Sequence, residues 1–512
     1  MPAPPGKEGC ANRAAIDRPF ANTRWRPCRA VTPAGSGSAP SPVIDTHIVG
    51  LLATCEGVTE DRKVGAEKRK VRCRVSSRRR HERIDWGSLT GHPAPPRSSP
   101  EAAGLNGSVH PNGAIRLGVD VASGRPFDLA PSELGQHVFL PGASGSGKTT
   151  TIIRLVDGVL RNGYAVVVID AKGGGLAGPA RRLAERHGVP FQLVDPEDEA
   201  SLGYDVCSGS PGDITNKLIG AFEYGANAEV YKHTAMEALP LIASALQAAG
   251  ERVTLRDLYA AFGKGGMTNI GRRSGEPFAS ELRALEQAGG VGAAGYNGLQ
   301  RRLGALMRGT FGTLLTTESA LDWNAVLAAP SVTHVSLSAT AAGEDVELMG
   351  RVLIQDLKQV CGRRIRTDAS GAPLVPTLVV LDEFAALREA PQVVDLLLQA
   401  RQARMPCVVS TQYLPEAVPV RKAALGAGLL VVHRVDGEEA ELLAGQWGTR
   451  PSTELTNQVD YETGYSAKGS LRRTERYVMH PNELRRLVPG RAAVRSIVGE
   501  RHAIVQVHRE PL

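Results

Sequence analysis

The sequence predicts an α/β fold with a mostly parallel sheet, interrupted by a block of helices. Three observations carry this. Short apolar, β-branched runs alternate with helical stretches, a glycine-rich loop falls between a strand and a helix, and one long mid-chain stretch shows helical texture only. Strands that alternate with helices build βαβ units, and such units pair their strands in parallel.

The first expected segment, 1–110, is a disordered Pro/Arg-rich region. Residues 1–100 hold 12 of the 33 prolines and show no sustained period of two or 3.6. Between Arg62 and Arg80, ten of nineteen residues are Lys or Arg, a density that repels itself. The second segment, 111–205, opens the folded part. Residues 137–141 read as a buried strand, 148–162 as a helix, and 164–170 as a strand apolar on both faces. A helix over 176–187 and a strand over 190–194 follow.

The third segment, 206–318, is an all-helical insert. Its expected helices are 215–224, 229–249, 254–262, 277–288 and 298–309, with glycine-rich breaks such as Gly263-Lys-Gly-Gly266 between them. The fourth segment, 319–512, returns to alternation. Strands are expected at 332–338, 377–382, 407–411 and 429–433, with helices at 346–362 and 391–404 and further strands toward the C-terminus.

The charge is unevenly spread. The 512 residues carry 60 Lys and Arg against 53 Asp and Glu, a net of +7. Residues 1–100 alone have 18 basic and 9 acidic side chains, so the rest of the chain is slightly acidic. The bulk excess that would suggest nucleic acid therefore belongs to the first fifth of the chain. Seven cysteines without a C-x-x-C pair argue against a disulfide scaffold or a zinc site. No signal peptide and no clean apolar run of membrane-spanning length is visible, so a cytoplasmic protein without its own span is expected.

Two motifs carry chemistry. Gly142-Ala143-Ser144-Gly145-Ser146-Gly147-Lys148-Thr149, followed by Thr150, fits the phosphate-binding pattern G-x-x-x-x-G-K-[ST]. Its glycines let backbone N–H groups wrap phosphates, and the following helix points its positive end at them. Lys148 is placed for the β- and γ-phosphates of ATP and the Thr149 hydroxyl for Mg²⁺. The second motif, Thr377-Leu-Val-Val-Leu-Asp382-Glu383, is an apolar strand ending in two carboxylates. Asp382 is expected to hold Mg²⁺, and Glu383 to take a proton from an attacking water. Alone, such a pair also solvates ordinary strand ends. Cys407-Val-Val-Ser-Thr411-Gln412 offers Gln412 as a water-orienting or phosphate-sensing group. Arg401 and Arg404, expected on the preceding helix, are either surface residues or arginine fingers.

Together these features resemble the FtsK–HerA superfamily of ring-forming, DNA-pumping ATPases, and most closely the TraG/TraD-type coupling ATPases of type IV secretion. The resemblance spans about residues 117–507. It rests on the phosphate loop, Ile169-Asp170-Ala-Lys172-Gly173, Leu381-Asp-Glu-Phe-Ala385, Ser410-Thr-Gln412 and His480-Pro-Asn-Glu-Leu-Arg485. It implies a RecA-like core, a homo-hexamer with nucleotide between subunits, and DNA in the channel. Lys148, Thr149, Asp382 and Glu383 then carry over directly. Gln412 takes the sensing role and Arg401 the place of the trans-acting arginine, with Arg404 as fallback. Asp170 and Lys172 are expected near the site without assigned chemistry. A relaxase or a membrane secretion component is the implied further partner. Coupling proteins usually begin with membrane helices, and no such segment is visible here. A HerA-type helicase in DNA processing and a nucleotide-switched DNA-binding scaffold are the alternatives, with a small-molecule phosphotransferase behind them.

Overall fold

The β-branched runs become strands in a sheet of eleven. The computed structural model describes residues 113–173, 175–222, 229–287, 291–317, 319–337, 343–387, 392–457 and 469–509. The expected arm over 1–110 and its basic block lie outside the described residues. The strands are β1 (Ile115–Asp120), β2 (Pro126–Leu129), β3 (Val138–Pro141), β4 (Ala165–Asp170), β5 (Phe191–Val194), β6 (Val332–Ser336), β7 (Thr377–Asp382), β8 (Cys407–Thr411), β9 (Leu429–Val432), β10 (Thr449–Asn457), β11 (Gly469–Tyr477), β12 (Arg491–Ser496) and β13 (Arg501–Val507).

The sheet order is β2-β1-β13-β12-β9-β3-β8-β7-β4-β6-β5, and β10 and β11 form a separate two-stranded ribbon. From β9 to β5 all pairings are parallel. From β9 outward through β12, β13, β1 and β2 they are antiparallel. The half of the sheet from β9 to β5 is therefore parallel and buried on both faces, as its continuous Val/Ile/Leu runs require. Alternate residues feed two cores. Val167, Ile169, Val379 and Leu381 pack on one face, while Val166, Val168, Leu378 and Val380 pack on the other.

The second face is covered by the helices Lys148–Arg161 and Ala177–His187. The first is covered by the helices between β5 and β6 and by the helix Gly343–Ala369. The helix expected to start at 215 begins earlier, at Pro211, because Ser210 and Asp213 form a capping box. The helix Val291–Arg308 likewise starts before the expected 298. The glycine-rich stretch read as a break contains a helix start. Gly265 (φ +75°) caps the helix Gly266–Ser274, whose Met267 and Ile270 are buried at helical spacing.

Arg401 and Arg404 lie beyond the end of their expected helix. Both were expected on a helix running to 404, but that helix ends at Ala400. Arg404 turns into the left-handed region (φ +54°), and Pro406, which has no N–H to continue a helix, follows. The two arginines thus occupy the turn that leads into β8.

Candidate functional site

β3 delivers the phosphate loop at its carboxyl end, the place where parallel sheets bind ligands. Gly142 N donates to Thr411 O (3.1 Å), and Ala143 N donates to Arg434 O (2.8 Å). Two glycines are required by space. A side chain at Gly142 would meet the His433 Cβ at 2.6 Å. At Gly147 (φ +118°) it would be strained and would press on the Gly490 backbone at 3.0 Å. Lys148, the first residue of the following helix, folds its Nζ back onto Gly142 O at 2.5 Å. Burial holds its ammonium below the usual lysine range, with Glu383 and Asp382 opposing that shift. A partly desolvated cation resting on loop carbonyls is suited to exchange them for phosphate oxygens.

β7 ends in Asp382 and Glu383, and β8 lies between β7 and β3. Gln412, just beyond β8, therefore falls between the loop and the carboxylates. Its Nε2 donates to Glu383 Oε2 (2.7 Å), and its backbone N–H donates to Oε1 (3.3 Å). Glu383 sits at φ +53°, in the left-handed region uncommon for a non-glycine residue. The strain belongs to the residue that points a carboxylate at the cavity. That cavity, about 280 Å³, is lined by Ala143, Ser144, Gly145, Gly147, Lys148, Thr149, Thr150, Lys172, Asp382 and Glu383. Gly142 and Ser146 do not line it but build its wall. Gly142 accepts from Lys148, and the Ser146 hydroxyl donates to Ala143 O (2.6 Å). A larger cavity of about 480 Å³ opens near Asp205, Asp213, Arg252 and Arg363, but has no phosphate loop.

Burial pushes the Asp382 carboxyl above the usual range, Asp170 and Glu383 add to that, and Ser410 opposes it. Asp382 and Glu383 line one cavity with the Thr149 hydroxyl, a donor set that fits a hard cation held jointly with phosphates. Among the described residues no cluster of His, Cys, Asp or Glu makes a self-sufficient metal site.

The structure gives Asp170 and Lys172 a geometry that the sequence had left open. Asp170, next to Asp382 across the β4–β7 register, accepts from the backbone N–H of Lys172 (3.0 Å) and Gly173 (3.0 Å). Its buried carboxyl still ends below the usual range, burial being outweighed by His334 and the N–H groups of Lys172 and Leu176. Asp170 thereby clamps the turn that presents Lys172 to the cavity. His433 was not singled out from the sequence. It follows β9 directly, beneath the phosphate loop, where its Nε2 meets the Thr151 hydroxyl at 2.8 Å. Burial pushes its imidazole down to about 4. A histidine closing the apolar run Leu429–Val432 was the available sequence signal.

Arg401 and Arg404 are not brought to this cavity. They lie at the opposite end of β8 from Gln412, and Arg404 pairs with Asp368 at 2.8 Å. Among the described residues, no helix is long and apolar enough to cross a membrane.

A mostly parallel sheet with a phosphate loop on one strand, and a carboxylate pair two strands away, is a P-loop nucleotide-binding fold of the RecA-like kind. Within that class the chain resembles the TraG/TraD-type coupling ATPases of type IV secretion, as its motifs imply. Residues 127–177 match the family described as the type IV secretion-system coupling protein DNA-binding domain. Solved structures with the same fold include the bacterial conjugative coupling protein TrwBdeltaN70, 16% identical, covering 78% of this chain and 89% of that one, with a TM-score of 0.56. The plasmid coupling protein TrwB in complex with ADP and Mg²⁺ is also 16% identical, covering 77% and 90%, with a TM-score of 0.55. No curated protein matches significantly.

Proposed function

We propose that the protein is an ATP-hydrolysing DNA translocase, a coupling-type motor for conjugative DNA transfer. The observation that carries this is the Gln412–Glu383 latch at the rim of a phosphate cavity. A nucleotide binder needs the loop, but it does not need a strained carboxylate held in place by a strand-end glutamine. Lys148 leaves Gly142 O and takes the β- and γ-phosphate charge. Thr149 and Asp382 are the residues placed to hold Mg²⁺, which would neutralise phosphate charge when bound. Glu383 accepts the proton of the attacking water. Gln412 holds that carboxylate until the γ-phosphate competes for its amide, which makes it the sensing group. Lys172 adds a second cation at the phosphates.

The similarity to coupling proteins supports a homo-hexamer in which Arg401 of one subunit serves its neighbour's nucleotide. It also supports DNA as the substrate and a relaxase or a membrane secretion component as the further partner. The test is phosphate release by the full chain with and without DNA over a range of salt. DNA should stimulate hydrolysis, and the stimulation should fade as salt rises because releasing counterions into a more concentrated salt solution is less favourable. A rate indifferent to DNA at every salt concentration would end this reading.

A further inference from the structure

Between β9 and β12 the chain makes an excursion whose two ends are both fastened to the phosphate loop. At one end Arg434 O accepts from Ala143 N (2.8 Å), and at the other Gly490 N donates to Ser146 O (2.9 Å). The base of the excursion is two short helices, Gly437–Ala444 and Pro481–Arg485. Arg485 joins them, donating to Gly437 O (2.8 Å) and pairing with Glu441 (3.1 Å). From this base rises the β10–β11 ribbon. It pairs in register from Thr449↔Tyr477 to Asn457↔Gly469 and makes no ladder with the main sheet.

An isolated two-stranded ribbon is marginal on its own in water. This one is exposed along nearly all of its described length, with Leu455 and Leu471 more than 65% exposed on one face. Its two faces differ in charge. Residues opposite one another across an antiparallel pair share a face, and alternate residues switch faces. Arg450, Arg472 and Arg476 therefore share one face with Glu454, and the other described positions of that face are Ser or Thr. Glu454 is held by Arg476 at 3.3 Å. Arg450 and Arg472 are four register positions apart, roughly 14 Å at the ordinary strand rise. A duplex offers about four phosphates per strand over that length. Among its described positions the face has arginines and hydroxyls and no aromatic ring, so it suits phosphate contacts more than the stacking on which single strands are bound.

We propose that the β10–β11 ribbon is a DNA-contacting arm. Its arginine face takes the phosphodiester backbone of duplex DNA, and its base passes changes at the phosphate loop into that contact. This rests on the DNA-translocase reading and adds the place of contact, which is neither in the basic sequence of residues 1–110 nor in the nucleotide cavity.

The test uses the full chain and a labelled DNA duplex of mixed sequence. The Arg450→Ala, Arg472→Ala, Arg476→Ala triple variant should lose at least tenfold in affinity at low salt. The slope of log affinity against log salt should become shallower by about 2 to 3. The Leu455→Ser, Leu471→Ser variant, on the opposite face, should keep the wild-type slope and the DNA-free hydrolysis rate. Far-UV circular dichroism checks that both variants fold. If wild type binds the duplex and the triple variant binds it equally with the same slope, the arm is wrong while the translocase reading stands. If wild type binds no DNA at all, both fall together. If sedimentation shows that the triple variant loses self-assembly, and DNA affinity drops only in step with it, the face belongs to a neighbouring copy and the proposal is overturned.

Discussion

Two buried carboxylates in this molecule sit in opposite circumstances. Asp356, on the helix Gly343–Ala369, accepts from the Tyr204 hydroxyl (2.5 Å) and the Trp323 indole N–H (2.9 Å), with Lys217 Nζ at 3.5 Å. It ties that helix to three other segments, and Lys217 beside it is fully buried. Asp382 instead faces Asp170 and Glu383, which together with burial push its carboxyl up. Asp356 is supplied with donors by the protein. Asp382 has the Lys148 ammonium and the Ser410 hydroxyl nearby and still ends above its usual range, so its charge is fully matched only when a further cation enters. The comparison separates a carboxylate that holds the fold from one that waits for a ligand.

The largest expected effects lie on the ligand side. Lys148→Ala should abolish hydrolysis, since nothing else in the loop offers a cation at the position its Nζ occupies. Glu383→Gln should lower turnover by about 10²-fold or more while leaving nucleotide binding in place. Phosphate release and equilibrium nucleotide binding, measured on the same samples, separate the two. Binding lost in Glu383→Gln as well would mean that the latch with Gln412 holds the loop together and does no chemistry.

On the structural side, Asp356→Ala should destabilise the fold by about 3 kcal/mol, because it strands a buried ammonium and two buried donors. Urea unfolding measures this. Asp356→Asn, which keeps an acceptor, should lose less. Neither should alter the hydrolysis rate of the fraction that remains folded. If Asp356→Ala unfolds no more easily than wild type, the partners around Lys217 are not what fastens the insert's helices to the sheet.

The same contrast explains what the sequence made legible. The parallel strands were readable because burial on both faces demands unbroken apolar runs, as in Ala165–Asp170 and Thr377–Asp382. Lys148, Asp382, Glu383 and Gln412 were readable because strand ends and a glycine loop fix their place. The arginine turn after Ala400 was misread because helical texture continues past the residue where Pro406 ends it. The β10–β11 ribbon was not foreseen. Its alternation is between charged and polar residues, and the apolar/polar alternation that marks a half-buried strand is missing. The roles of Asp170 and His433 depend on neighbours far away in sequence, at His334 and Thr151, which no local pattern contains.

His433 extends the comparison to a buried base. Its folded pKa, about 4, lies below the unfolded value of 6.5. Between these values the unfolded chain takes up a proton that the folded chain refuses, so stability falls as the pH drops through this window. The full difference amounts to about 3 kcal/mol. His433→Gln should flatten the wild-type slope of unfolding free energy between pH 6.5 and about 4. Carboxylates that titrate in the same window cancel in the difference between the two proteins. An unchanged slope would mean that the imidazole gains a proton in place beneath the loop.

The smallest effect is the most discriminating. Asp382 has a folded pKa above its unfolded value of 3.8, so the folded state holds the proton more tightly. Its contribution to stability is therefore present at low pH and is lost as pH rises through the folded value, the opposite sign to His433. At neutral pH the charged carboxylate works against folding. Asp382→Asn should consequently leave the nucleotide-free melting temperature unchanged or raise it by a degree or two. Wild type should gain stability when Mg²⁺ and nucleotide are added together, because the ligand binds only the folded state. Asp382→Asn should lose most of that gain while keeping the part due to nucleotide alone. Differential scanning with nucleotide and chelator, then nucleotide and Mg²⁺, reads both quantities. A nucleotide-free variant that melts several degrees lower would show Asp382 already matched by the protein, in the way Asp356 is.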